Sequence, residues 1–152
     1  MTNGQLRLTC SCSPCAADQV AVFVRALATR GGLTDRQAYW LRLAADEITT
    51  NIAVHGYSGA AGLLELEGDV EEDTVWLRIE DEAHPFDPRS HDPRAVLQSC
   101  PVKREEGGLG LFLAVNGLDD FTYDYVHGRN RNTLIMHRSA PGDRVDSEGR
   151  RG

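Results

Sequence analysis

At 152 residues and 41% hydrophobic content, the chain is long enough for one domain with a real core. A formal net charge of −7 argues against direct nucleic-acid binding, because phosphate backbones are met by clustered Lys and Arg. No apolar run spans a bilayer and the N-terminus lacks a basic-then-apolar signal pattern, so no membrane partner is expected and a cytoplasmic protein is the simplest expectation.

Leu6-Arg7-Leu8-Thr9-Cys10 alternates with strand period. From Ala16 to about Arg30 the residues Ala17, Val20, Phe23, Val24 and Leu27 recur at helical spacing, and Gly31-Gly32 ends the run. Thr34 with Gln37 three residues on is a capping-box pattern that opens a second helix. That helix is expected to continue through Trp40, Leu41 and Ala44 to His55, with Gly56 as its stop. Leu63 to Glu67 and Thr74 to Glu80 read as strands around an acidic loop, Asp69 to Asp73. From Asp81 to Gly110 regular structure is sparse, apart from a short helix expected from Asp92-Pro93 through Gln98. Leu111 to Leu118 reads as a helix, and Phe121 to Val126 with Thr133 to Arg138 as a closing hairpin around His127–Asn130. The tail after Ser139 is expected to be disordered. This order predicts an α+β fold, a two-layer sandwich with helices on one face of a mixed, mainly antiparallel sheet.

Three segments carry candidate chemistry. In the second helix, Glu47, Asn51 and His55 follow one another at intervals of four, which stacks them on one face beside an apolar stripe. A carboxylate beside a carboxamide suits a hard cation and a proton acceptor; alone, the row equally describes a solvated helix face. Asp81 ends an apolar strand, where an acceptor-only carboxylate suits an exocyclic amino group or simply a turn. Gly107-Gly108-Leu109-Gly110 leads into a helix, an arrangement that lets backbone N–H groups approach an anion. It is neither a Walker A loop nor a dinucleotide fingerprint. Cys10, Cys12 and Cys15 form C-x-C-x2-C, with Cys100 remote; free thiols are expected, with a metal or redox role as the alternative.

Taken in order, these segments resemble the N, G1 and G2 boxes of the GHKL (Bergerat-fold, HATPase_c) ATPases, and most closely the anti-sigma-factor serine/threonine kinases of bacterial partner-switching systems. Glu47-x-x-x-Asn51 with His55-Gly56-Tyr57 is similar to that family's E-x-x-x-N…H-G-Y helix. Pro85-Phe86-Asp87-Pro88 resembles its P-F-D-P sequence, Gly107 to Leu113 its G-G-L-G-L-F-L helix, and Gly128-Arg129-Asn130 its G-x-N turn. The resemblance covers roughly residues 6 to 138.

The resemblance implies an ATP-binding kinase domain over residues 1–138, with a lid at about 89–106 and a tail at 139–152. It implies Glu47 as catalytic base for a Ser or Thr hydroxyl, Asn51 as the Mg²⁺ ligand, and Asp81 on the adenine amino group. It further implies nucleotide contacts from Gly107, Gly108, Leu109 and Gly110, with Thr133 near the adenine. Arg94, Lys103 and Arg104 are the lid cations, and His55 is expected to pack at the helix end. Ala83 stands where the family's D-x-G motif has glycine. The implied cofactors are ATP and Mg²⁺, and the implied partners are an anti-anti-sigma (STAS-domain) protein and a sigma factor, with a homodimer as an open assembly. The alternative is a non-catalytic nucleotide-binding or sequestration module.

Overall fold

The computed structural model describes residues 5–12, 16–90 and 109–139. The strands are β1 (Leu6–Ser11), β2 (Leu63–Val70), β3 (Thr74–Asp81), β4 (Asp120–Val126) and β5 (Arg129–His137), and the helices α1 (Ala16–Gly31), α2 (Asp35–Asn51) and α3 (Leu109–Asn116). The sheet runs β1-β2-β3-β5-β4 with every ladder antiparallel. Alternation sorts the strand residues: Leu64, Leu66, Val75, Leu77, Ile79, Leu134 and Met136 are buried beneath the helices with Val20, Val24, Leu27, Leu41 and Ile48. The result is the two-layer α+β sandwich that the element order predicts.

Thr34 caps α2 as expected: its hydroxyl accepts from the Gln37 N–H and the Gln37 side chain accepts from the Thr34 N–H. The same Gln37 donates to the His137 carbonyl at 2.6 Å, fastening the helix start to the end of β5. Arg138 completes that corner, donating to the carbonyls of Gly31, Glu71 and Glu72.

The opposite face of the sheet is polar and organised by register. Arg7, Glu67 and Arg78 lie side by side across β1, β2 and β3, and Glu67 pairs with both arginines. Glu65 lies directly opposite Glu80, a repulsive placement that Arg129 offsets by donating to both, at 2.6 and 3.0 Å. Arg131 donates to Glu80 as well, at 2.8 Å. Burial alone would raise the Glu80 carboxyl, but the bonds from Arg129 and Arg131 overcome it and hold the group below its usual range.

Besides shifts of one or two residues, such as α3 at Leu109–Asn116 in place of the expected Leu111–Leu118, three boundaries differ from expectation. β2 runs on to Val70, and the tight turn narrows to the residues between Glu71 and Thr74, whose N–H and carbonyl bond at 2.7 Å. The closing hairpin turns on two residues, His127 and Gly128, with φ of 54° and 77°; paired positive φ suits the twist of the flanking strands. β5 therefore begins at Arg129. The second helix changes character after Asn51, where Ile52–Gly56 forms a π-turn. The helix expected at Asp92–Gln98, most of the 89–106 segment and the tail from residue 140 lie outside the described residues.

Close approach of α3 to α2 rests on glycine. A Cβ at Gly117 would lie 2.2 Å from Trp40 Cε3, so the ring occupies the space a side chain would need. Gly117→Ala is expected to cost about 1–3 kcal/mol by overpacking, read as a lowered urea midpoint. On the other face, Glu80→Gln is expected to cost about 1–2 kcal/mol at pH 7. Because the folded-state carboxyl is held low, that stability is present above the unfolded carboxylate range and is lost as pH falls through the folded value. The two proteins should thus begin to converge in chemical denaturation as pH falls below about 4.3, the unfolded glutamate value.

Candidate functional site

One pocket lies between α2, the end of β3 and the start of β5. Its walls include Asn51, Gly56, Asp81, Ala83, Asn130 and Asn132. Asp81 is 1% exposed at the end of the central strand. Its Oδ1 accepts from the Ala83 N–H at 2.9 Å and from Asn130 Nδ2 at 2.9 Å. Burial pushes the carboxyl above its ordinary range, and the two hydrogen bonds and the nearby His84 offset this in part.

Asn130 holds the loop that follows. Register sets it opposite Asp81. Its Nδ2 also donates to the carbonyls of Ala83 and His84, while its Oδ1 accepts from the Phe86 N–H and the Tyr123 hydroxyl. Pro85-Phe86-Asp87-Pro88 is thereby tied to β5, and Asp87 closes on the backbone and guanidinium of Arg89. The sequence offers a signal for Asn130 in the G-x-N turn, without indicating that it would clamp Asp81.

Glu47 and Asn51 sit one turn apart on α2, both half-buried. Asn51 lines the pocket. Glu47 stands beside the first turn of α3, where a Cβ on Gly110 would lie 3.2 Å from its Oε1. Gly110 therefore lets that turn settle against the carboxylate. His55 does not continue the stacked row: the π-turn changes the angular step after Asn51, and His55 is exposed at the pocket wall instead of packed at a helix end. Tyr57 fixes this corner, donating to the Leu63 carbonyl at 2.8 Å and accepting from the Glu82 N–H at 2.7 Å, with its ring over Gly62.

Ala83 is buried in the pocket wall without a positive φ, so the residue replacing the motif's glycine fits an ordinary backbone conformation. Its methyl lies 2.9 Å from where a Cβ on Gly56 would be, so a side chain at both positions would push the two segments apart. Thr133 is placed differently from expectation. Strand parity turns Asn130, Asn132, Leu134 and Met136 toward the helices, and Thr133 falls between them on the opposite face, level with Arg78. The pocket-facing residue at that level is Asn132, which is 2% exposed and absent from the sequence-based set.

Gly107, Gly108 and the cations Arg94, Lys103 and Arg104 lie outside the described residues, as does the side chain of Leu109. Cys10 and Cys12 are free thiols, whereas Cys15 and Cys100 are not described. Burial, then the neighbouring Cys10 and Asp81, push the Cys12 thiol up to about 11, which keeps it protonated at neutral pH. No cluster of three or more His, Cys, Asp or Glu side chains suited to a metal ion occurs among the described residues. Nor is any helix among them long and apolar enough to cross a membrane.

The arrangement offers a concave site with a buried acceptor at its base, a carboxamide on one wall and a carboxylate beside a helix start. Residues 11–138 match the family model of the histidine kinase-like ATPase domain. No curated protein matches the chain.

Asp81→Asn keeps an acceptor for Ala83 and Asn130 and removes the buried charge. Because the folded carboxyl is raised, its cost is present above the folded value and vanishes as pH falls below the unfolded one, about 3.9. The variant should be more stable by roughly 1 kcal/mol at pH 7, with the gain fading toward pH 3.5 in thermal unfolding at both pH values.

Proposed function

The chain belongs to the histidine kinase-like ATPase family, and from that premise we propose that it is an anti-sigma serine/threonine protein kinase. In this reading it phosphorylates an anti-anti-sigma (STAS-domain) partner and sequesters a sigma factor. The observation that supports it is a pocket lined by the buried Asp81 and by Asn51, with Glu47 one helical turn from Asn51 and beside Gly110. An ATP whose adenine reaches Asp81 would direct its phosphates along α2 toward Glu47.

The residues fit the chemistry. Asp81 retains an acceptor oxygen for the adenine amino group while Oδ1 is held by Ala83 and Asn130. Asn51 offers a carboxamide oxygen, a hard ligand of the kind Mg²⁺ takes, and the ion when bound would neutralise charge on the phosphates. Glu47 would accept the proton of the partner's Ser or Thr hydroxyl as its oxygen bonds to the γ-phosphorus. The bond from that phosphorus to the bridging oxygen breaks, leaving ADP and a phosphorylated partner. The first turn of α3 lies beside the carboxylate, and Gly110 permits this proximity.

Ala83 favours a second reading, a nucleotide-binding or sequestration module without turnover, because its methyl occupies the pocket wall beside Gly56. The two readings separate on incubation with labelled ATP, Mg²⁺ and a candidate STAS-domain protein. Transfer of label to the partner, falling at least 100-fold in Glu47→Ala with ADP affinity within threefold of the parent, is the expected result. ATP binding with no transfer would leave the module reading standing.

A further inference from the structure

The end of α2 and the π-turn form a wall shared by two cavities. Asn51, Ile52 and Gly56 line the Asp81 pocket, whereas Thr49, Thr50, Ala53 and Val54 line a second cavity. With about 3.6 residues per turn, the two sets fall on opposite sides of the helix. The second cavity measures about 500 Å³, within the roughly 300–1,000 Å³ of small-molecule sites. Its other walls are Ala16 and Ala17 in the first turn of α1 and Cys12 just past β1.

Small side chains keep this space open. Ala16 and Ala17 on one helix and Ala53 on the other are too short to close it, although protein interiors otherwise leave few voids larger than a water molecule. The rim is a backbone turn. Ser58 and Gly59 have φ of 52° and 83°, and the Gly59 N–H donates to the Ala53 carbonyl at 2.9 Å, which folds the turn back beside the cavity.

The wall chemistry selects the ligand. Among its described residues none is Asp, Glu, Lys, Arg or His, so an ion entering would lose its hydration without gaining a partner. Polar groups at the base are turned back on the protein. The Cys12 thiol donates to the Thr49 carbonyl at 3.9 Å, and the Thr49 hydroxyl donates to the Ala45 carbonyl at 2.9 Å. Thr50 and Ser58, both exposed, bring hydroxyls to the rim.

We infer that this cavity is a second ligand site, which takes an uncharged small molecule with an apolar body against Cys12, Ala16 and Ala53 and a hydrogen-bonding end at Thr50 and Ser58. Depth favours a small molecule over the face of a second copy of the chain: Cys12, Ala16 and Thr49 line the cavity while only 4%, 5% and 7% exposed. The inference does not depend on the nucleotide reading, and the separate linings let the two sites fill independently.

Nile red, an uncharged dye with an apolar ring system and a carbonyl, tests this by fluorescence titration with amide NMR spectra recorded alongside. The parent should bind one dye per chain, with the largest shifts at Ala17, Ala53 and Gly59. Ala53→Leu and Ala17→Phe, which fill the cavity from its two helical walls, should each weaken the dye at least tenfold while the unliganded melting temperature stays level or rises. If one of them misfolds, the other decides. Tyr39→Ser, which removes a 58% exposed apolar side chain near the start of α2, should bind as the parent does. Saturating ADP should leave the dye in place. Absence of dye binding by the parent, or equal binding by a folded filling variant, overturns the site. Displacement by ADP also overturns it, by putting the dye in the Asp81 pocket. So does a parent dimer in sedimentation that the filling variants dissociate, which would give the cavity to a second copy.

Discussion

A carboxylate at the buried end of a central strand must find hydrogen-bond donors or give up its charge, and much of this site is arranged around that requirement. Asp81 meets it with the amide of Ala83 two residues on and the carboxamide of Asn130 on the paired strand. Once Asn130 is committed there, its remaining capacity fixes the chain from Ala83 to Phe86, and Tyr123 joins from β4. Three strands and a loop are thus held by one pair of side chains. The compensation is incomplete, as the raised carboxyl indicates, and an incompletely satisfied acceptor in a pocket is also a reactive surface for a donor.

The helical side is shaped by close approach. Gly110 and Gly117 let α3 lie against Glu47 and Trp40, and Gly56 gives room to Ala83. At the end of α2 the π-turn and Tyr57 redirect the chain toward β2 while leaving Asn51 in the pocket wall. The opposite face of the sheet, by contrast, satisfies its charges internally through Arg7, Glu67, Arg78, Glu80, Arg129 and Arg131. The pocket lined by Asn51, Asp81 and Asn132 lies in the layer between sheet and helices.

The sequence was informative wherever one local rule governed a segment. The Thr34–Gln37 box marked a helix start, and Val75, Leu77 and Ile79 announced a half-buried strand by simple alternation. Glu47, Asn51 and Asp81 stood out by type and spacing, but spacing left each with a structural alternative and only the resemblance to a family implied their roles. The start of β5 was not legible, since Arg129 to Asn132 are all polar and look like loop until Glu80 and Asp81 supply their partners. The face on which Thr133 falls was hidden for a related reason. Leu134, Ile135 and Met136 are consecutive apolar residues, so their period does not reveal parity, and the ladder with β3 decides it. The π-turn left no sign either: Ile52, Ala53 and Val54 fit either helical geometry, and one of Tyr57's two anchors, Glu82, lies 25 residues along the chain.

The pairing of β3 with β5 has an evolutionary consequence. Asp81 and Asp120 are fixed points at which the chain leaves the sheet and returns to it, and strand order holds them irrespective of what joins them. For a connection anchored in this way, doubling the length costs only about 0.6 kcal/mol in closure entropy. Descendants of such a domain can therefore lengthen or shorten the stretch between Ser90 and Leu109 while inheriting the sheet, the Asn130-held loop and α3 unchanged.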